Sequence, residues 1–113
     1  MRTEKFKVIQ FIRELLEMID QDMDNFTKKD IELKNELRNK SYEMLETAYL
    51  ANSMPDVKRK KEIIIKLIAK VKVVDFIINL SFDKEIITKK KYLKFGQKTD
   101  DIVRYATGWL ESL

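Results

Sequence analysis

The sequence predicts an all-α chain folded as an antiparallel up-down-up-down four-helix bundle, a single domain over residues 1–113. Three observations carry this reading. Apolar residues recur at alternating spacings of three and four along most of the chain, which is the period of a helix face. Turn formers are scarce, with 2 Gly and 1 Pro, too few for the reversals of an all-β fold. The breaks between periodic stretches are short, which favours antiparallel neighbours taken in chain order.

The first helix is expected from about Thr3 to Asn25. Ile9, Ile12, Leu16, Ile19, Met23 and Phe26 form its stripe, and Val8, Phe11, Leu15 and Met18 widen it. A stripe that wide packs against two neighbours. Asn25-Phe26-Thr27 reads as the connection, with Thr27 or Asp30 as the next N-cap. The second helix runs from about Lys28 to Ala51, with Leu33, Leu37, Ser41, Met44, Leu45, Ala48 and Ala51 facing the core. Glu32, Glu36, Asn39, Glu43 and Glu46 lie opposite, and Ile31, Tyr42 and Tyr49 form a separate stripe.

Asn52-Ser53-Met54-Pro55-Asp56 is the strongest break. Pro55 suits the first turn of a third helix, with Ser53 or Met54 at its cap. That helix is expected from about Pro55 to Ser81, with Ile64, Leu67, Ile68, Val71, Val74 and Ile78 inward. Its second half is apolar nearly all round, because Val73, Phe76, Ile77 and Leu80 fall outside the inward stripe. Such a helix is buried on every side, so the surplus indicates either a subunit interface or a broad core. Tyr42 and Tyr49 join Val73, Phe76, Ile77 and Leu80 as candidate oligomer contacts. The fourth helix runs from about Thr88, its cap, to Leu113. Tyr92, Phe95, Thr99, Ile102, Val103, Ala106, Trp109, Leu110 and Leu113 line one face. Gly96 and Gly108 weaken it, and close helix approach is one reason to keep them.

Composition narrows function. His and Cys are both absent, which excludes disulfides, the usual zinc ligand sets and histidine-based acid–base or nucleophilic systems. No Gly-rich phosphate loop is present, and Lys94-Phe95-Gly96-Gln97-Lys98 lacks its spacing. Glu14, Glu17, Asp20, Asp22 and Asp24 form an acidic strip that reads as a solvated helix face rather than a metal site. Asp75 falls inside the apolar arc of the third helix and needs a partner, either Lys72 or a group from a neighbouring helix or subunit. The reading is a binding protein with no cofactor and no metal. The charged start of the chain argues against a signal peptide. Lys66, Lys70, Lys72 and Asp75 within Ile63–Leu80 argue against a membrane span, so a cytoplasmic protein is expected.

Charge is unevenly distributed. Residues 1–56 carry 9 basic and 12 acidic side chains, a net of −3, and residues 57–113 carry 14 and 7, a net of +7. The basic set includes Lys58, Arg59, Lys60 and Lys61, with Lys66 and Lys70 on the Arg59 face. It continues with Lys89, Lys90, Lys91, Lys94 and Lys98; the last three share one side with Tyr105. Lysines so grouped suit the phosphates of RNA or DNA. Compositional bias is the competing explanation, since 18 of the 23 basic residues are Lys. A molecule acidic on one side and basic on the other can also associate head to tail.

Phe26-Thr27 leads into Leu33, Leu37 and Leu45, Ala51-Asn52 closes the second helix, and a lysine-rich entry opens a long Ile/Leu helix. Ile86–Tyr92 and the terminal Gly108-Trp109-Leu110 follow. In these features the chain resembles the four-helix-bundle accessory proteins of diversity-generating retroelements. Their superfamily also contains the proteins encoded in intervening sequences of bacterial 23S ribosomal RNA genes. Phe26-Thr27 departs from the Phe-Pro turn often found in that family. The resemblance implies a basic homo-oligomer, a pentamer, that scaffolds a reverse transcriptase and its template RNA and performs no chemistry. The alternatives are a ribosomal-RNA-associated bundle and a generic helical interaction module.

Overall fold

The structure is a computed structural model that describes residues 2–22 and 26–113. The expected roles of Met23 in the core, Asp24 in the acidic strip and Asn25 in the connection lie outside the described residues. Four helices form: α1 (Arg2–Gln21), α2 (Ile31–Ser53), α3 (Val57–Asp83) and α4 (Lys89–Glu111), with a 3-10 turn at Lys28–Asp30 ahead of α2. There is no strand among the described residues. α1 and α3 each pack on α2 and α4, so the helices sit around a square in chain order. The pairs Glu14–Lys98 and Asp22–Lys91 step in opposite directions along α1 and α4, as antiparallel neighbours must. The fold is the expected all-α four-helix bundle, 44 × 23 × 19 Å.

The core shows where periodicity located the inward face and where it slipped. In α1 the fully buried line is Val8, Ile12, Leu15 and Ile19, while Ile9 and Leu16 are half-buried. The buried line runs down the middle of the expected wide stripe, and Ile9 and Leu16 on one side and Phe11 and Met18 on the other are its half-buried edges against the two neighbouring helices. In α2, Leu37, Ser41, Met44, Ala48 and Ala51 are buried as expected, and Thr47 joins them. Ser41 and Thr47 satisfy their hydroxyls on the Leu37 and Glu43 carbonyls, each at 2.7 Å, so neither leaves an orphan polar group inside. In α4, Phe95, Thr99, Ile102, Ala106 and Trp109 are buried, with Trp109 as the expected anchor.

Two corrections concern α3. Its N-cap is Asp56, whose Oδ2 accepts from the Arg59 amide at 3.3 Å, rather than Ser53 or Met54. Pro55 restricts the residue before it to extended backbone, and Met54 has φ −77° and ψ 117°. The helix therefore begins after the proline, at the first good capping side chain. The second correction is Ile77, which is buried with Val74 and Ile78 and so belongs to the core. At its other end α3 stops in a left-handed residue, Glu85 at φ 61°. The Ile86 amide returns to the Ser81 carbonyl and the Glu85 amide to Phe82, both at 2.9 Å, closing a Schellman motif on a non-glycine residue. Thr88 caps α4 as expected, its Oγ1 accepting from the Lys91 amide at 3.2 Å.

Candidate nucleic-acid interface

The antiparallel arrangement decides where the basic residues lie. Lys58, Arg59, Lys60 and Lys61 occupy the first turn of α3, beside the C-terminal end of α4. Lys89, Lys90 and Lys91 occupy the first turn of α4, beside the C-terminal end of α3. The two runs therefore sit at opposite ends of a body 44 Å long. Lys66 and Lys70 continue along α3 on the side toward α2, while Lys91, Lys94 and Lys98 run along α4 on the side toward α1. The basic residues of the third and fourth helices thus form two poles with two diverging arms.

Three of the expected phosphate-contacting lysines are engaged within the bundle. Lys98 Nζ lies 2.6 Å from Glu14 Oε1 and 4.9 Å from the centre of the Phe11 ring, and it is only 21% exposed. Lys91 Nζ lies 2.5 Å from Asp22 Oδ1. Lys70 Nζ donates to Thr47 Oγ1 at 3.0 Å and lies 3.9 Å from Glu43 Oε1. Tyr105, placed beside these lysines by spacing, packs edge-on against Phe11 with 5.3 Å between ring centres. The hydrogen bond from Lys98, with a second from Gln10 at 2.9 Å, holds the Glu14 carboxyl below the ordinary carboxylate value. What joins these groups is position: α1 lies against α4 and α2 against α3, so the acidic half of the chain meets the basic half along both seams.

The remaining cations face water. Lys58, Lys61, Lys66, Lys89, Lys90 and Lys94 are exposed and Lys60 is half-buried, and none has an ion-pair partner within 4.0 Å among the described residues. Arg59 reaches only its own cap, Asp56, at 3.9 Å. Sequence reading passed over Lys28 and Lys29, which are exposed in the 3-10 turn at the same end as Lys89 and Lys90. The signal was present as a basic pair, but the end of the bundle it joins is visible only in three dimensions.

The acids divide similarly. Asp30, considered only as a cap, is 7% exposed and lies 3.7 Å from Lys84 Nζ at the end of α3. It accepts from the Thr27 hydroxyl at 3.1 Å and makes no cap bond to backbone. The acidic strip of α1 is partitioned into separate ion pairs, Asp20 with Arg38 at 3.6 Å and Glu14 and Asp22 with the α4 lysines. No three acidic side chains converge as a metal ion would require among the described residues. Asp75 takes its partner from a neighbouring helix: the Thr99 hydroxyl lies 3.0 Å from Oδ1, and Asn79 Nδ2 is 3.4 Å from Oδ2.

The candidate oligomer contacts separate into two patches. Val73 and Phe76, the latter 64% exposed, point outward from α3 in line with exposed Ile65, and Leu80 is half-buried. Tyr42 and Tyr49 are exposed on α2, where Tyr49 shares a groove with Phe6, Ile9 and Arg13 of α1. Ile77 is withdrawn from this set by its burial.

Fold and surface together define a highly charged four-helix bundle with cations at both ends. No family model, curated protein or solved structure matches the chain. No helix among the described residues is long and apolar enough to cross a membrane.

Proposed function

We propose that this protein is a non-enzymatic nucleic-acid-binding bundle whose exposed cations contact phosphates. The observation that carries the reading is the placement of the two basic runs. Both fill the first turn of a helix; neither turn itself holds an acid, and the one acid at either start is the α3 cap, Asp56. The helix dipole disfavours cations at that end, so these residues oppose helix stability rather than serve it. Phosphates suit such a position, since lysines there act together with the helix-start amides that the Asp56 and Thr88 caps leave free. The phosphate-binding group is Lys58, Arg59, Lys60, Lys61 and Lys66 at one end and Lys89, Lys90 and Lys94 toward the other. The body as a whole is 44 Å long, the length of about thirteen base pairs at 3.4 Å each.

The resemblance to retroelement accessory proteins supplies the rest of the proposal: an oligomeric scaffold, a pentamer in that family, holding template RNA and a reverse transcriptase in the cytoplasm. Two unlike apolar patches, one on α3 and one on α2 with α1, support head-to-tail assembly, because a heterologous ring needs two different surfaces. The test is RNA binding by fluorescence anisotropy at several salt concentrations, with light scattering on the same sample. Binding that weakens steeply with salt, by an oligomer, supports the reading. No binding of RNA or DNA at low salt overturns the function, and a monomer at micromolar concentration overturns the scaffold.

A further inference from the structure

Six acids are buried or half-buried among the described residues, and five of them have a cation within 4.0 Å. Glu14 has Lys98, Asp22 has Lys91, Asp30 has Lys84, Glu43 has Lys40 and Lys70, and Asp101 has Arg104. Asp75 is the sixth and has none. Lys72 stands three residues away on the same helix, yet does not come within that distance. Arg104 lines the same groove but is turned to Asp101 at 2.9 Å. A partly desolvated carboxylate in a chain of net charge +4 is thus left with two neutral donors, Thr99 and Asn79.

Asp75 sits in the seam between α3 and α4. A groove of about 520 Å³ runs there past Val71, Thr99 and Val103, with Lys72 and Arg104 on its walls beside Asp75 and Asp100. It shares Asp75 and Asp100 with a second hollow of about 320 Å³ that reaches Leu93 and Gly96. Gly96 is an independent sign. It lies inside α4 without a positive φ, and a Cβ built on it meets nothing within 4 Å. The expectation that Gly96 permits close helix approach within the bundle therefore fails, and the monomer gives no reason for a residue that weakens its own helix. Glycine in mid-helix also serves where something outside must approach the backbone closely.

We infer that the α3–α4 seam receives a helix of a partner protein, with an Arg or Lys directed at Asp75 and its backbone passing over Gly96. Apolar side chains one turn to either side rest on exposed Leu93 and half-buried Val103. The partner's cation enters on the side of the smaller hollow, where exposed Asp100 adds a second negative charge and the lining holds no cation. The seam shares no residue with the phosphate-binding group, so either proposal can fail without the other.

The experiment uses the full isotope-labelled chain and two 14-residue helical peptides, identical but for a central Arg or Gln, with Leu three and four residues to each side. Amide shifts are followed by NMR during titration. The Arg peptide is expected to shift residues 72–79 and 93–103 and to bind at least tenfold more tightly than the Gln peptide. Asp75→Asn should erase that preference. Gly96→Leu should abolish binding of both while the melting temperature does not fall, because its side chain enters open space. Equal affinity of the two peptides, shifts elsewhere, or binding that survives Gly96→Leu would overturn the proposal. So would light scattering in which Gly96→Leu splits an oligomer, since a second copy would then occupy the seam.

Discussion

Lys98 Nζ of α4 rests 2.6 Å from Glu14 Oε1 of α1, joining residues 84 positions apart in the chain. Asp22–Lys91 repeats the pattern further along the same seam, Glu43–Lys70 occurs between α2 and α3, and Asp30–Lys84 occurs at one end. Each bridge ties an acid of the first hairpin to a lysine of the second. The charge difference between the two halves of the chain therefore helps the hairpins recognise each other. The topology with like-charged helices across a seam is disfavoured by the same groups.

Lys98→Gln is expected to destabilise the bundle by roughly 0.5 kcal/mol, the scale of a partly exposed ion pair. The effect is pH-dependent with a defined sign. Lys98 lowers the Glu14 carboxyl in the folded state, so the stabilisation is complete above the ordinary carboxylate value and lost as pH falls through the lowered one. Chemical denaturation of wild type and Lys98→Gln between pH 7 and pH 2 should show the difference vanish at the acid end.

Asp30 holds the start of α2 against the end of α3. Removing Lys84 leaves a buried carboxylate with the Thr27 hydroxyl as its remaining hydrogen-bond donor among the described residues. Lys84→Ala should cost about 1–2 kcal/mol, and Asp30→Asn, which leaves no unpaired charge, should cost less. Urea midpoints of the two variants give the order directly.

Glu85 occupies a conformation that costs a non-glycine residue roughly 1–2 kcal/mol. Glu85→Gly should raise stability by about 0.5–1 kcal/mol, because relief of strain exceeds the entropy glycine loses on folding. A thermal melt should show the midpoint rise by a few degrees.

Replacing Lys58, Arg59, Lys60 and Lys61 with Gln should weaken RNA binding and flatten its dependence on salt. The log–log slope should fall by about 0.7 for every single-strand phosphate that is no longer neutralised. Lys91→Gln with Lys98→Gln should leave binding nearly unchanged but lower the melting temperature. Anisotropy titrations at about 50 to 200 mM salt, read beside melts, separate the two groups.

The fold was legible because helix formation and burial leave periodic traces. Leu37, Met44, Ile64, Val71, Phe95 and Ile102 announce their inward faces by spacing alone, and Thr88 announces its cap. Ile77 did not, since α3 is apolar beyond its central stripe and the bundle turns that helix further than the stripe's midpoint implies. The surface was less legible. Lys91, Lys94 and Lys98 share a helix side by spacing, but spacing is silent on whether α1 lies against that side. Once it does, Glu14 and Asp22 neutralise two of the three. Asp30 read as a cap because Asp before a helix usually is one; burial under Lys84 depends on a contact 54 positions away that no local pattern encodes.

The two helix starts put lysines at both tips of a short rod, but exposed acids stand beside them, Asp56 and Glu62 at one tip and Asp83 and Glu85 at the other. Each tip thus carries both signs. A polyanion reaching either tip meets cations and acids together, so its hold is set by the lysine nearest each phosphate and not by a uniformly positive end.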